Sequence, residues 1–256
     1  MTETSRSDDE RWPGAALRAT AVSRSFEGVQ ALDDVTIDLR RNEVVGLIGP
    51  NGAGKSTLVN VLSGFDAPTV GTVELDGQDV TRWPAHKRGR AGLARTFQHS
   101  RSFRTLSVRE NVEIAAIGTG TRPREARRRA DGLLALLGLD RRADAAASSL
   151  PHGDERRLGV ARALATQPRY VLMDEPAAGL TEAEVPAFAA VVRSVRDDHE
   201  AGVLLIDHNM ALIMDVCDRI HVLDQGRMLA EGTPSDIRAN LDVAAAYLGE
   251  SAVAEE

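Results

Sequence analysis

Nine consecutive residues carry the clearest chemistry in this chain: Gly49, Pro50, Asn51, Gly52, Ala53, Gly54, Lys55, Ser56 and Thr57. They fit the spacing G-x-x-x-x-G-K-S/T, in which glycines let backbone N–H groups turn inward around phosphate oxygens. A helix that starts at the end of such a loop aims its positive end at the same anion. Lys55 would reach the β- and γ-phosphates as a compact point charge, and the Ser56 hydroxyl would ligate Mg²⁺. Lysine is scarce here. The chain has 29 Arg and two Lys, Lys55 and Lys87, so a retained lysine marks a place that a guanidinium would fill badly. A second signal is the run Tyr170, Val171, Leu172, Met173, Asp174, Glu175. An apolar strand there would deliver two acids at its C-terminal end, where open α/β sheets bind ligands. Asp174 would hold Mg²⁺ through water, and Glu175 would polarise the water that attacks the γ-phosphate. Alone, such a pair also fits a helix cap and turn; the phosphate loop upstream decides for metal and water.

Three weaker signals accompany these. His208 ends the run LLIDH, where a lone histidine is commonly structural. Gln98 follows LARTF and says little by itself. Residues 150–158, LPHGDERRL, read equally as an amphipathic helix with a Pro-Gly start.

The elements that must position these residues follow from patterning. Alternating segments between Leu17 and Asp38 predict antiparallel strands, and residues 71–80 a further hairpin with an Asp-Gly turn. Residues 44–49, VVGLIG, suit a buried strand, and TLVNVLSG a helix stopped by Gly64. Strand-like runs vanish between about 100 and 150, where ENVEIAAI, PREARRRADGLLALLGL and ADAAASSL predict a small helical subdomain. Arg122, Arg124 and Arg127 to Arg129 there read as a solvated helix face before a basic patch. YVLMD and GVLLID predict further buried strands, and residues 219–232 a hairpin turning at Gln225 and Gly226. The pattern predicts an α/β fold whose parallel sheet is covered on both faces.

The 256 residues allow one to two domains. Apolar residues are 43% and charged residues 27%, which excludes a disordered or fibrous chain. A net charge of −7 argues against general nucleic-acid binding. No apolar run reaches the length of a membrane span, and the polar start is no secretory signal. Cys217, the single cysteine, reads as a small core residue. Residues 1–14 and the acidic end SAVAEE read as tails.

Taken in order, these motifs resemble the nucleotide-binding subunit of ATP-binding cassette transporters over roughly residues 17–250. GPNGAGKST resembles the Walker A motif, YVLMDE the Walker B motif, Gln98 the Q-loop and His208 the switch histidine. LPHGD occupies the place of the signature, EPAAGLT that of the D-loop, and Phe26 that of the aromatic that stacks on adenine. The resemblance implies a P-loop ATPase core with an antiparallel β subdomain and a helical insert. Its implied boundaries are 15–98 with 154–232 for the core, 99–153 for the helical subdomain and 233–256 for a C-terminal helix and tail. It implies ATP and Mg²⁺ as cofactors, with Gln98 joining Ser56 and Asp174 around metal and water and His208 orienting water or γ-phosphate. Pro151, His152, Gly153 and Asp154 would close over ATP held by a second ATPase subunit, of the same or a different chain. Membrane-spanning permease subunits and, indirectly, a solute-binding protein are the other implied partners. The place implied is the cytoplasmic face of the inner or plasma membrane.

The chain departs from the commonest signature, LSGGQ. Pro151 lacks the serine hydroxyl, His152 replaces a glycine, and Asp154 brings a negative charge where glutamine is usual. Such variation resembles the branched-chain amino-acid importer ATPases, as do LARTFQ, LSVRENV, LLIDHNM and AYLGE. Urea, short-amide and lipopolysaccharide-type systems share much of this pattern.

Overall fold

A computed structural model describes residues 16–97 and 102–253, with side chains through residue 247. Two sheets organise it. The first is antiparallel, in the order β2-β1-β4-β5, with β1 (Ala16–Phe26), β2 (Val29–Arg40), β4 (Val70–Leu75) and β5 (Gln78–Asp79). The second has six strands in the order β10-β9-β3-β8-β7-β6. Its members are β3 (Val44–Ile48), β6 (Leu93–Arg95), β7 (Tyr170–Asp174), β8 (Gly202–Ile206), β9 (Arg219–Asp224) and β10 (Arg227–Gly232). All its pairings are parallel except β9 with β10.

Burial on both faces explains the unbroken apolar runs of β3, β7 and β8. Alternate side chains go to opposite sides, as a strand requires. Val44, Ile48, Val171, Met173, Val203 and Leu205 enter one core, with α5 (His152–Ala165), α6 (Val185–Asp197) and α7 (Met210–Val216). Val45, Leu47, Leu172, Leu204 and Ile206 enter the other, with α1 (Lys55–Ser63) and the antiparallel sheet. α2 (Ala85–Arg90) covers the end of α1. There the buried Arg88 donates to the carbonyls of Val61 and Leu62 at 2.6 and 2.7 Å, which satisfies orphan groups of the last turn. Burial pushes its pKa down to about 10.

Two helices fill the predicted helical region, α3 (Val108–Gly118) and α4 (Pro123–Leu136), and both pack on α5. Ser107 and Glu110 form a capping box at the start of α3, and Pro123 opens α4. The third predicted helical stretch, ADAAASSL, is corrected. It holds only a 3₁₀ turn, Ala147–Ser149. Its backbone is spent on α3 instead: Val108 N–H donates to the Ala145 carbonyl and Ala147 N–H to that of Leu106, both at 2.9 Å. Of the arginines of this stretch, Arg122, Arg124, Arg127 and Arg128 are exposed, with Arg127 3.7 Å from Glu113, while Arg129 bonds Glu125 and the Ala165 carbonyl. Lys87 lies 3.7 Å over the Trp83 ring. Cys217 is buried, as expected.

At the C-terminal end come α8 (Pro234–Ala239), capped by Thr233 with Asp236, and α9 (Leu241–Val253). The helix runs through Ser251, Ala252 and Val253, so half of the expected tail is helical. Residues 1–15 and 254–256 lie outside the described residues, as does Gln98. Among the described residues no helix is long and apolar enough to cross a membrane.

Candidate functional site: a phosphate-binding cavity

The phosphate loop joins β3 to α1 and is seated on two other segments. Gly49 has φ 148, and a Cβ there would lie 1.9 Å from the Leu223 carbonyl oxygen of β9. Gly54 has φ 103, and its Cβ would lie 2.6 Å from the Ala31 carbonyl oxygen of β2. These two close approaches admit only glycine. The Gln225–Gly226 turn completes the seat, with the Gly226 N–H donating to the Ala53 carbonyl at 3.0 Å. No side chain caps α1, whose N-cap is Gly54. Its first-turn N–H groups therefore face the loop as anion donors.

Asn51, Gly52, Ala53, Gly54, Lys55, Ser56 and Thr57 line a cavity of ≈ 240 Å³. Ala31, which sequence reasoning missed, lines it too, as do Glu175 and His208. Lys55 Nζ donates to the carbonyls of Gly49 and Pro50, at 2.6 and 2.7 Å. A phosphate would draw that ammonium away from two neutral acceptors toward a charged one.

Glu175 follows β7 in left-handed backbone, φ 47, with its N–H bonded to the Ile206 carbonyl at 2.7 Å. A non-glycine residue there is strained, as functional positions tolerate. Its Oε1 meets His208 Nε2 at 2.8 Å. An ionised Glu175 makes that nitrogen the donor. Asp207 fixes the base of this pair: it accepts from the backbone N–H of Ala177 at 3.0 Å and of Asn209 at 2.9 Å. Asp207, at the end of β8, thus ties the turn that carries Glu175 to the one that carries His208.

Asp174 sits at the end of β7, nearly buried, with Oδ2 3.1 Å from Arg95 Nη2. Its backbone N–H is held by the Thr96 hydroxyl at 3.1 Å. Ser56 and Asp174 are hard oxygen donors of the kind Mg²⁺ takes. Among the described residues no group of three His, Cys, Asp or Glu could hold a metal alone.

The remaining predicted site residues stand outside this cavity. Phe26 ends β1 and is half exposed, with Arg24 4.4 Å over its ring. Pro151, His152, Gly153 and Asp154 form the start of α5, with Pro151 as N-cap and His152 fully exposed. Asp154 is paired with Arg142 at 3.1 Å and Arg157 at 3.7 Å. Arg157 also bonds Glu184 at 2.7 Å, which in turn accepts from Thr181. This arginine strap between the signature and the D-loop segment was not legible beforehand.

A strand-borne phosphate loop, an uncapped helix start, and an acid with a histidine beyond it define a nucleoside-triphosphate hydrolase. Residues 32–178 match the model described as ABC transporter, and residues 227–253 that described as Branched-chain amino acid ATP-binding cassette transporter. The high-affinity branched-chain amino acid transport ATP-binding protein LivG of Salmonella typhimurium is 42% identical, over 92% of this chain and 98% of its own length. Among solved structures, the ADP conformation of an ATP-binding cassette of an ABC transporter is 27% identical. It has a TM-score of 0.82 and covers 93% of this chain and 100% of its own. A dimeric, post-hydrolysis cassette bound to ADP and Pi is 26% identical, with a TM-score of 0.77 over 85% of this chain and 98% of its own. The chain belongs to the ATP-binding cassette transporter family, in the branch of the branched-chain amino acid ATP-binding cassettes. It is an ATPase.

Proposed function

We propose that this chain hydrolyses Mg·ATP in the Lys55–Glu175–His208 cavity and so powers uptake of branched-chain amino acids. The observation that carries the reaction is the 2.8 Å contact between Glu175 and His208 across the phosphate loop. Backbone N–H groups of residues 49–57 and Lys55 bind the β- and γ-phosphates. Ser56, Asp174 through water, and Gln98 would hold the magnesium, which would supply positive charge to the phosphates. Glu175 takes a proton from the attacking water as its oxygen bonds to the γ-phosphorus. The bond from that phosphorus to the bridging oxygen breaks, leaving ADP and phosphate. His208 holds Glu175 or the γ-phosphate in line. Phe26 offers its ring to the adenine.

The match of residues 227–253 supports branched-chain amino acids as the solute over urea, short amides or lipopolysaccharide. Residues 15–98 and 154–232 act as the ATPase core and 99–153 as the helical subdomain. Residues 233–256 follow as a C-terminal helix and tail. Pro151, His152, Gly153 and Asp154 close over ATP held by a second ATPase subunit, and the dimeric cassette supports that assembly. Arg142 and Arg157 offset the charge that Asp154 brings to the signature. A groove of ≈ 420 Å³ beside β6, lined by His86, Arg90, Phe97, Ala115, Gly118 and Arg162, receives the permease subunit. The chain thus works at the cytoplasmic face of the membrane, with a solute-binding protein beyond it.

The test is Glu175→Gln. ATP binding should persist, measured with a fluorescent analogue, while turnover falls by roughly 10²-fold or more. A variant that keeps wild-type kcat removes Glu175 as the base.

A further inference from the structure

The motif LARTF was singled out in the sequence, yet nothing in the hydrolysis scheme uses its arginine. Arg95 is the last residue of β6, beside β7, and its side chain is only 10% exposed. Its guanidinium spans two elements. Nη1 donates to Asn60 Oδ1 at 2.7 Å and to Ser63 Oγ at 3.1 Å, both on α1. Nη2 donates to Asp174 Oδ2 at 3.1 Å. The aromatic rings of Phe65 and Phe97 flank it at 5.6 and 5.1 Å and meet each other edge to face. Ser63 in turn bonds the Val59 carbonyl at 2.6 Å, so the anchor on α1 is itself fixed.

A fork of this kind serves one purpose that a lysine could not. Five donors in a rigid plane can hold a carboxylate and two helix acceptors at once. The surface value of such an ion pair is small. Its geometric effect is large, because both partners are nearly buried and aromatic rings restrict the guanidinium plane.

We propose that Arg95 is a positioning residue for the metal-holding carboxylate. It clamps Asp174 through Oδ2 onto the phosphate-loop helix, and so presents Oδ1 to the water shell of the magnesium. This rests on the reading of Asp174 as the metal's carboxylate. The same helix carries Ser56, so one guanidinium sets the spacing between both metal-facing groups.

The test uses the full-length chain and needs no turnover. A fluorescent ATP analogue is titrated without metal, and then at fixed nucleotide against Mg²⁺, for wild type, Arg95→Met, Arg95→Lys and Asp174→Asn. Arg95→Met should raise the Mg²⁺ midpoint about 10-fold or more while metal-free nucleotide affinity stays within about 2-fold. Arg95→Lys, which keeps the charge but cannot bridge three acceptors, should fall between Met and wild type. It also serves as the deciding variant should Arg95→Met not fold. An unchanged or lower midpoint overturns the proposal, as does an equal loss of metal-free binding, which marks Arg95 as merely structural. If Asp174→Asn leaves the midpoint unmoved, the reading of Asp174 fails and the Arg95 proposal falls with it. If Asp174→Asn moves it and neither Arg95 variant does, Arg95 alone is wrong.

Discussion

His221 is 1% exposed and neither ring nitrogen finds a hydrogen bond, although Arg219, Asp38 and Glu231 surround it. Burial pushes its pKa down to about 4. The unfolded chain, with an ordinary histidine near 6.5, binds more protons between those values. Stability from this residue is therefore intact above pH 6.5 and is lost as pH falls toward 4, by on the order of 3 kcal/mol. His221→Leu should flatten that slope in urea unfolding at pH 7 and pH 5. A variant with the wild-type slope would show that His221 pays no such penalty. Legibility also differed residue by residue. Lys55, Ser56, Asp174 and Glu175 stood out because their chemistry is written in contiguous motifs. Arg95, Asp207 and Arg157 did not. Their partners lie 79, 30 and 27 positions away, and no local spacing encodes such contacts.

At the scale of elements, the phosphate loop depends on what it rests against. Gly49→Ala would place a Cβ 1.9 Å from the Leu223 carbonyl oxygen. The loop or β9 must then move. Stability should fall by about 3 kcal/mol and ATP affinity by about 10-fold, read from urea unfolding and nucleotide titration. Wild-type values in both would show that the loop is not seated on β9. The elements themselves were largely readable. Buried strands announced themselves as unbroken apolar runs, and the β9–β10 turn as Gln-Gly, with φ 45 and 78. ADAAASSL misled because alanine favours helix. Its backbone bonds to the start of α3 outweigh that preference, and those bonds join residues far apart in sequence.

For the whole molecule, the two cores share one sheet, so the cavity is built from strand ends on a rigid floor. The residues that would complete it, at the start of α5, stand outside the cavity. Under the proposed function, hydrolysis is tied to assembly with a second subunit, and assembly to the permease. The global architecture followed from the order of motifs, whereas the solute leaves no mark at the cavity. It is carried by the C-terminal match and by the likeness to LivG. Uptake of labelled leucine by cells lacking this gene therefore tests the central claim most directly. Wild type should restore uptake and Glu175→Gln should not. Unchanged leucine uptake in the deletion, or full rescue by Glu175→Gln, would contradict it.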